Sequence, residues 1–559
     1  MCALPLTGNA AAPGIQFAEI GKQAGIRVQH HSRDFRVKRG DVLSLFATVG
    51  AAVAVGDYDD DGYEDIFVTD SEIGKPNHLF HNNGNLTFTD VAEEAGVAGG
   101  NDSFSIVTDA LWFDYDNDGR LDLLVARFGT PLLYHNEGNG KFRNVTAASG
   151  LNMFANTVAV IAIDYDNDGK LDLLFANYFK PVNLLDLKDP RVLPNSLVNA
   201  NNGGGVALWH NMGGGKFENV TDKSGVGGIR QWAFDVGTGD LNNDGLPDIY
   251  VACDYGPDHV FFNDGDGTFR EVTAQAIGWD RKSGMNVEMA DYDNDGWLDV
   301  YVTNITEKYA KQCNMLWHNN GDGTFADVSL ESGTCDTGWG WAAKFGDFDN
   351  DGWQDLFVVN GLHSAGGEEY IPGTFALFKN PGVDITDLNN WPEVGDRTWN
   401  GYEKKRLFRN LADGRFQDVA ADAGVDNKFD GRGIGVGDFD NDGHLDFVQT
   451  NLNQPLLLYH NTTEKTGNWV ELKLIGVKSN RDAIGARVHL KAGGLSEMRE
   501  VDGGNGFASQ SSRRIHFGIG SVAKIDDLEI RWPSGRREVI HAPINRISYV
   551  EEGRGIVAR

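Results

Sequence analysis

The stretch GDYDDDGYEDIFV, Gly56 to Val68, places Asp57, Asp59, Asp61 and Asp65 at positions one, three, five and nine of a short loop, with Gly62 at six. The pattern D-x-D-x-D-G-x-x-D begins again at Asp114, Asp164, Asp240, Asp291, Asp347 and Asp438. Six of the seven copies match at every position, and the fourth has Asn242 at its third. The mean spacing is about 63.5 residues, with long gaps after Asp164 and after Asp347. A motif returning in phase along a chain marks a repeat architecture, each repeat being one supersecondary unit.

A second signature lies between the loops: LFHNNGNLTFTDV, LYHNEGNGKFRNV, LWHNMGGGKFENV, FFNDGDGTFREV, LWHNNGDGTFADV and LFRNLADGRFQDV. It reads as a strand, a glycine-bearing hairpin turn and another strand. Apolar runs before each Asp loop (AAVAVGD, ALWFD, VAVIAID) and after it (DIFVTD, DLLVAR, DLLFAN) supply two more, so each unit has four strands. The array opens on a lone F-x-E-I strand in IQFAEIGKQAGI and ends on LLLYHN with no F-x-D-V strand after it. The two halves complete one another. They predict an all-β chain: a seven-bladed β-propeller of four-stranded blades, closed by its N-terminal strand, plus a small C-terminal β-domain. Ring closure protects the sheet edges. The expected division is a tail over 1–14, the propeller over 15–466 and the β-domain over 467–559.

The loop residues expected to bind metal are Asp57, Asp59, Asp61 and Asp65; Asp114, Asp116, Asp118 and Asp122; Asp164, Asp166, Asp168 and Asp172; Asp240, Asn242, Asp244 and Asp248; Asp291, Asp293, Asp295 and Asp299; Asp347, Asp349, Asp351 and Asp355; and Asp438, Asp440, Asp442 and Asp446. These oxygens, with a carbonyl at position seven, make a hard donor set suited to Ca²⁺; Mg²⁺ prefers a stricter octahedral site that keeps water. The order resembles the first part of an EF-hand loop, without the Glu at twelve and with strands as flanks. Four uncompensated carboxylates so close would repel strongly. Up to seven Ca²⁺ are expected, and seven would bring the formal charge of −32 to −18. Such ions staple two strands together and need not mark the functional site.

That acidity argues against a nucleic acid partner, since phosphate contacts need Lys and Arg. No run of 18 apolar residues is present, so no helical membrane span is expected. Cys313 and Cys335 flank one repeat and could bridge in an exported protein, while Cys253, within YVACDY, reads as a buried thiol. Cys2 after Met1 fits a lipid-anchored, exported protein whose signal peptide is absent from this chain; an arbitrary start fits equally. The expected location is extracellular or periplasmic. Arg39-Gly40-Asp41 spells the integrin-binding tripeptide, a short motif that recurs by chance.

With its repeats in view, the chain resembles the FG-GAP/VCBS class of calcium-binding propeller, similar in plan to the integrin α-subunit head. NWVELKLIG, AIGARVHLKAGG, REVDGGNGFASQSS, RIHFGIG and LEIRWPSGRREV, between residues 468 and 555, resemble the ASPIC/UnbV domain of the cartilage acidic protein family and its bacterial relatives. The resemblance spans nearly the whole chain. It implies a secreted, calcium-loaded propeller with a small β-domain, and delivers no reaction, since fold alone does not choose function.

Function is expected on the face opposite the Asp loops, which receives both long insertions, roughly Tyr178 to Val206 and Gly361 to Lys405. The polar ends of its second strands are Asp70, Arg127, Asn177, Asp254, Asn304, Asn360 and Asn451. Candidate ligand-binding residues are Tyr178, Trp232, Asn286, Trp339 and Trp341. Candidate catalytic residues are Asp109, Asp235, Asp254, Glu288, Lys344, His363 and Arg432. Charged Glu288 and Lys344 stand on neighbouring innermost strands. They are either a structural ion pair across a blade seam or part of an acid–base pocket at the channel mouth. Two functions follow: an extracellular binding or adhesion module, whose partner is a macromolecule or a small organic ligand, or a cyclase- or lyase-type enzyme with its pocket under 361–405.

Overall fold

The computed structural model describes residues 14–47, 49–380, 382–464 and 467–558. Cys2 lies outside them. Each Asp loop joins the first two strands of an antiparallel four-stranded meander. In the first unit Val53–Gly56, Asp65–Val68, His78–Asn82 and Phe88–Asp90 pair in that order. The following units begin with Ile106–Phe113, Ala155–Ile163, Trp232–Gly239, Glu288–Ala290, Gly340–Gly346 and Gly431–Gly437. The seventh takes its fourth strand from the N-terminus: Phe17–Glu19 pairs with Leu457–Asn461, Phe17 opposite Asn461. Second strands such as Asp122–Gly129 and Asp172–Phe179 are buried at every residue. Their runs of Leu, Val and Phe, in place of an apolar–polar alternation, suit strands covered on both faces.

Innermost strands touch in succession around the molecule, and Gly431–Gly437 touches Val53–Gly56 in turn. The Asn of the L-x-H-N signature links the units. The Nδ2 of Asn136, Asn211, Asn263, Asn319, Asn410 and Asn461 donates to the carbonyls of Tyr58, Tyr115, Tyr165, Leu241, Tyr292 and Phe348 in the preceding unit, and Asn82 reaches Phe439 of the seventh, all at 2.7 to 2.9 Å. A second circuit uses the fourth residue of the Asp loop. Asn117, Asn167, Asn243, Asn294, Asn350 and Asn441 donate to the carbonyls of Gly169, Gly245, Gly296, Gly352, Gly443 and Gly62 in the next loop. All six adopt the left-handed backbone that Asn tolerates, with φ between 53° and 60°. The first loop has Asp60 there, which carries no amide to donate.

The C-terminal region folds into two sheets. One orders Ile515–Gly518, Trp469–Ile475, Ile547–Glu551 and Gly555–Val557; the other Leu495–Glu500, Arg487–Ala492, Asp527–Arg531 and Arg537–Val539. They lie against the Asp-loop side of the units. Asp482 accepts from Asp114 N, Arg531 pairs with Asp240, Gly520 N donates to Asn350 O, and Arg514 reaches Gly62 O and Asn441.

From this region the segment 501–514 descends among the innermost strands. Ala162 N donates to Gly503 O, Thr238 exchanges two bonds with the Asn505 side chain, and Phe507 N donates to Asn286 Oδ1. Val53 N donates to Ala508 O, Gln510 exchanges two bonds with Trp112, Ile434 N donates to Ser509 Oγ, and Ser512 N donates to Val436 O. Lys344 Nζ donates to Asn505 O. Six of the seven innermost strands, and Asn286 just ahead of the fifth, are thereby bonded to one inserted loop. Its GGNG run reflects the fit: a Cβ at Gly503 would fall 1.7 Å from the Ala162 carbonyl oxygen.

Cys313 and Cys335 form a disulfide, and Cys253 is a buried free thiol. The Arg39-Gly40-Asp41 tripeptide is tied to the long insertion: Arg39 pairs with Glu393, and the exposed Asp41 accepts from Val394 N at 2.6 Å. No helix of the described residues is long and apolar enough to cross a membrane.

Candidate functional site

The Asp loops fold around their first carboxylate. Asp57 accepts the N–H groups of Asp61 at 2.9 Å and Gly62 at 3.0 Å, and Asp65 accepts from Tyr58 N and Asn82 N. The first-position bonds recur in the second, fourth, fifth, sixth and seventh loops. A residue outside the acidic motif joins five loops: the His of L-x-H-N. His81 Nδ1 stands 3.3 Å from Asp59 and 3.4 Å from Asp65. His135, His210, His318 and His460 repeat this against Asp122, Asp172, Asp299 and Asp446 at 3.0 to 3.4 Å. The signal was present in the repeated motif, but there it reads as part of a strand.

The donor set fits a divalent cation. His81 Nδ1, His318 Nδ1 and Asp293 Oδ1 are buried with no hydrogen-bond partner. Burial pushes Asp65 up to about 8 and Asp122 up to about 9, so these carboxylates are costly to ionise without a nearby positive charge. Two loops depart from the set. In the sixth, Arg409 replaces His, with Nε 2.8 Å from Asp349 and Nη2 3.1 Å from Asp351. In the fourth, Phe262 replaces His, Asn242 replaces Asp, and Arg531 stands 3.4 Å from Asp240. There the chain supplies part of the cationic charge itself.

The sequence-predicted site residues fall into three groups. Asp109 and Asp235 sit beside bulges in first strands and hydrogen-bond across seams, to Val160 N at 3.0 Å and Val287 N at 2.7 Å. Glu288 and Lys344 are an ion pair of 3.0 Å beneath the inserted loop, and Asn286 Oδ1 accepts from Ala343 N and Phe507 N. Residues 503–510 pack among them, and Glu288 also lines a cavity of about 130 Å³ with Arg499, Glu500 and Asp502 of the C-terminal region. Arg432 is fully buried, stacked 3.9 Å from the Trp341 ring centroid and donating to the carbonyls of Gly361 and Leu362. His363 is half-buried and pairs through its backbone with Trp399.

The third group does converge. Asp254, Tyr178, Trp339 and Trp341 line one pocket with Phe46, Phe234, Tyr255 and Trp399, on the side opposite the Asp loops. Trp232 backs its wall, 4.8 Å from the Tyr178 ring and fully buried. Tyr178 OH donates to Asp254 Oδ2 at 2.7 Å. Burial pushes the Asp254 carboxyl up to about 6, against the lowering pull of the Tyr178, Ser283 and Tyr255 hydroxyls. Phe507, at the tip of the inserted loop, packs against Phe234 and Trp341, so the C-terminal region reaches the pocket from below. Phe46, Tyr255 and Trp399 were not foreseen. They come from a short helix, a left-handed turn residue (φ 64° at Tyr255) and the long insertion, none of which carries a positional motif.

Comparison with known proteins agrees with this organisation. The FG-GAP-like repeat family matches residues 114–175, 196–251, 240–302 and 307–358, and the ASPIC and UnbV family matches 476–556. The chain carries both FG-GAP-like repeats and an ASPIC and UnbV domain. Cartilage acidic protein 1 of Xenopus tropicalis is 28% identical over 325 residues, covering 56% of this chain and 44% of that protein. The Homo sapiens protein of the same name is 25% identical over 324 residues, 56% of this chain and 43% of its own length. The FG-GAP-repeat chain thus spans about half the length of these curated relatives. Among solved structures, the BP39L lectin of Burkholderia pseudomallei aligns at a TM-score of 0.41 and 9% identity, over 74% of this chain and 97% of that one.

Proposed function

We propose that this FG-GAP-repeat chain is an extracellular, calcium-stapled propeller of seven blades in a closed ring, acting as a binding module through the face opposite the Asp loops. One observation carries the choice of face. Of fifteen large apolar side chains exposed among the described residues, ten lie in connections from second to third or from fourth to first strands: Ile73, Phe104, Phe154, Leu197, Val198, Trp279, Tyr309, Leu330, Phe378 and Tyr402. In a meander all those connections emerge on one side. Clustered exposed apolar groups, aromatic ones above all, mark interaction surfaces. The C-terminal sheets lie against the other side. The two insertions brace each other here, Val192 N donating to Thr386 O and Leu388 N to Pro190 O. The Cys313–Cys335 bridge suits an oxidising compartment.

Binding is favoured over turnover because the only groups beside Asp254 in its pocket that could move a proton, among the described residues, are the Tyr178 and Tyr255 hydroxyls, whose burial raises their pKa well above the ordinary value. Binding of the fluorescent-labelled chain to an extracellular-matrix preparation tests the face. Trp279→Ala, Tyr402→Ala and Phe104→Ala are made singly. At least one weakens binding tenfold, about 1.4 kcal/mol, while Val539→Ala and Ile556→Ala in the C-terminal sheets leave it unchanged. The reverse pattern overturns the choice of face.

A further inference from the structure

We propose that the aromatic pocket around Asp254 binds the primary ammonium group of an organic amine. This rests on the binding-module reading and names the chemistry of its central site. Asp254 ends the strand Asp248–Asp254, is 5% exposed, and has one oxygen engaged by the Tyr178 hydroxyl. Its other oxygen, Oδ1, is buried without a hydrogen-bond partner, although the Ser283 and Tyr255 hydroxyls stand nearby. Burial and neighbouring hydroxyls, with no Lys, Arg or His among the leading influences, set the environment of this carboxylate. A buried carboxylate without a counter-ion is costly, and its natural complement is a cation brought by a ligand.

The walls favour the same occupant. Tyr178, Tyr255, Trp339 and Trp399 line the space beside Asp254, together with Trp341, on which the Arg432 guanidinium already stacks. Aromatic faces attract ammonium groups electrostatically, more so away from water. Size narrows the class. The cavity is about 20 Å³, enough for a head group of one or two heavy atoms and too small for a tetraalkylammonium ion. Tyr255 holds a left-handed backbone conformation next to Asp254, the strained geometry found where a site over-determines its residues.

The pocket lies beneath the face proposed for binding, with Tyr255 its most exposed lining residue, so the ammonium group could belong to a free amine or to a lysine side chain of a protein partner. Titration with n-butylammonium, followed by tryptophan fluorescence and calorimetry on the full calcium-loaded chain, tests the site. n-Butanol and tetramethylammonium are the controls. The expected result is saturable binding of n-butylammonium, at least tenfold weaker binding of both controls, and a tenfold or greater loss in Asp254→Asn at unchanged melting temperature. Trp399→Leu, placed in the wall, weakens binding several-fold and serves should Asp254→Asn fold poorly. Equal binding of n-butanol, no saturable binding, or an unaffected Asp254→Asn overturns the assignment. Competition then separates the sources: n-butylammonium that displaces the chain from matrix identifies a partner lysine, and one that does not identifies a free amine. A chain that binds matrix but no amine contradicts the pocket alone, and one that binds amine but no matrix contradicts the binding face alone.

Discussion

Chelating the metal from the intact chain lowers its melting temperature by about 10 °C and releases five tightly held calcium ions. The number counts the five loops that keep Asp at all four positions and carry no Arg at the third residue of the L-x-H-N signature. The fourth and sixth loops bind more weakly, since Arg531 and Arg409 already answer part of their charge. An ion present at a hundredfold excess over its dissociation constant stabilises the folded state by about 2.7 kcal/mol, so five contribute roughly 13 kcal/mol. Divided by an unfolding entropy of about 1.2 kcal/mol/K for a chain this long, that is a shift near 10 °C. Elemental analysis and calorimetry in matched buffers check both parts. Arg409→His raises the count by one, because it removes the competing cation from Asp349 and Asp351. A melt unchanged after demonstrated removal of all metal contradicts the staple.

Lys344→Met destabilises the chain by about 3–5 kcal/mol, the cost of leaving a buried charge without its partner. Lys344 is 1% exposed, pairs with Glu288 at 3.0 Å and donates to the carbonyl of Asn505 on the inserted loop. Burial already pushes Glu288 up to about 7 while Lys344 pulls it down. Removing the ammonium leaves Glu288 to take up a proton and the Asn505 carbonyl to lose a charged donor. The double variant Glu288→Leu/Lys344→Met recovers most of the loss, because both charges leave together. Urea unfolding of the three proteins measures this. A Lys344→Met chain as stable as the parent contradicts a structural pair and returns these residues to consideration as chemical groups.

The meander units could be anticipated because every loop repeats the same local chemistry: acidic positions, a glycine where the turn tightens, and apolar runs on either side. The completion of the seventh unit by Phe17–Glu19 was visible as two matching half-units. The occupied channel was not. REVDGGNGFASQSS reads as a glycine-rich loop, and most of its partners are backbone groups on strands far away in sequence, which leave no residue-type signature. The trace it left was the polar character of Asn286, Glu288 and Lys344 on strands otherwise apolar. Those residues surround the inserted loop, and Glu288 also borders the cavity between it and the C-terminal sheets. Asn at the fourth loop position was equally exposed to view in D-N-D-G, yet its bond to the next loop depends on the fold bringing successive units together. Asp254, Tyr178, Trp339 and Trp341 were named from strand ends, whose side of the sheet follows from alternation. Trp399 and Phe46 were missed because their positions depend on how an insertion and a helix fold back.

The face used for recognition is the central claim, and hydrogen–deuterium exchange of the full chain, free and matrix-bound, tests it most directly. Protection is expected over residues 180–202 and 361–405 and around Asp254, with the Asp loops and residues 468–558 unchanged. Protection across the C-terminal sheets, with none over the insertions, contradicts it.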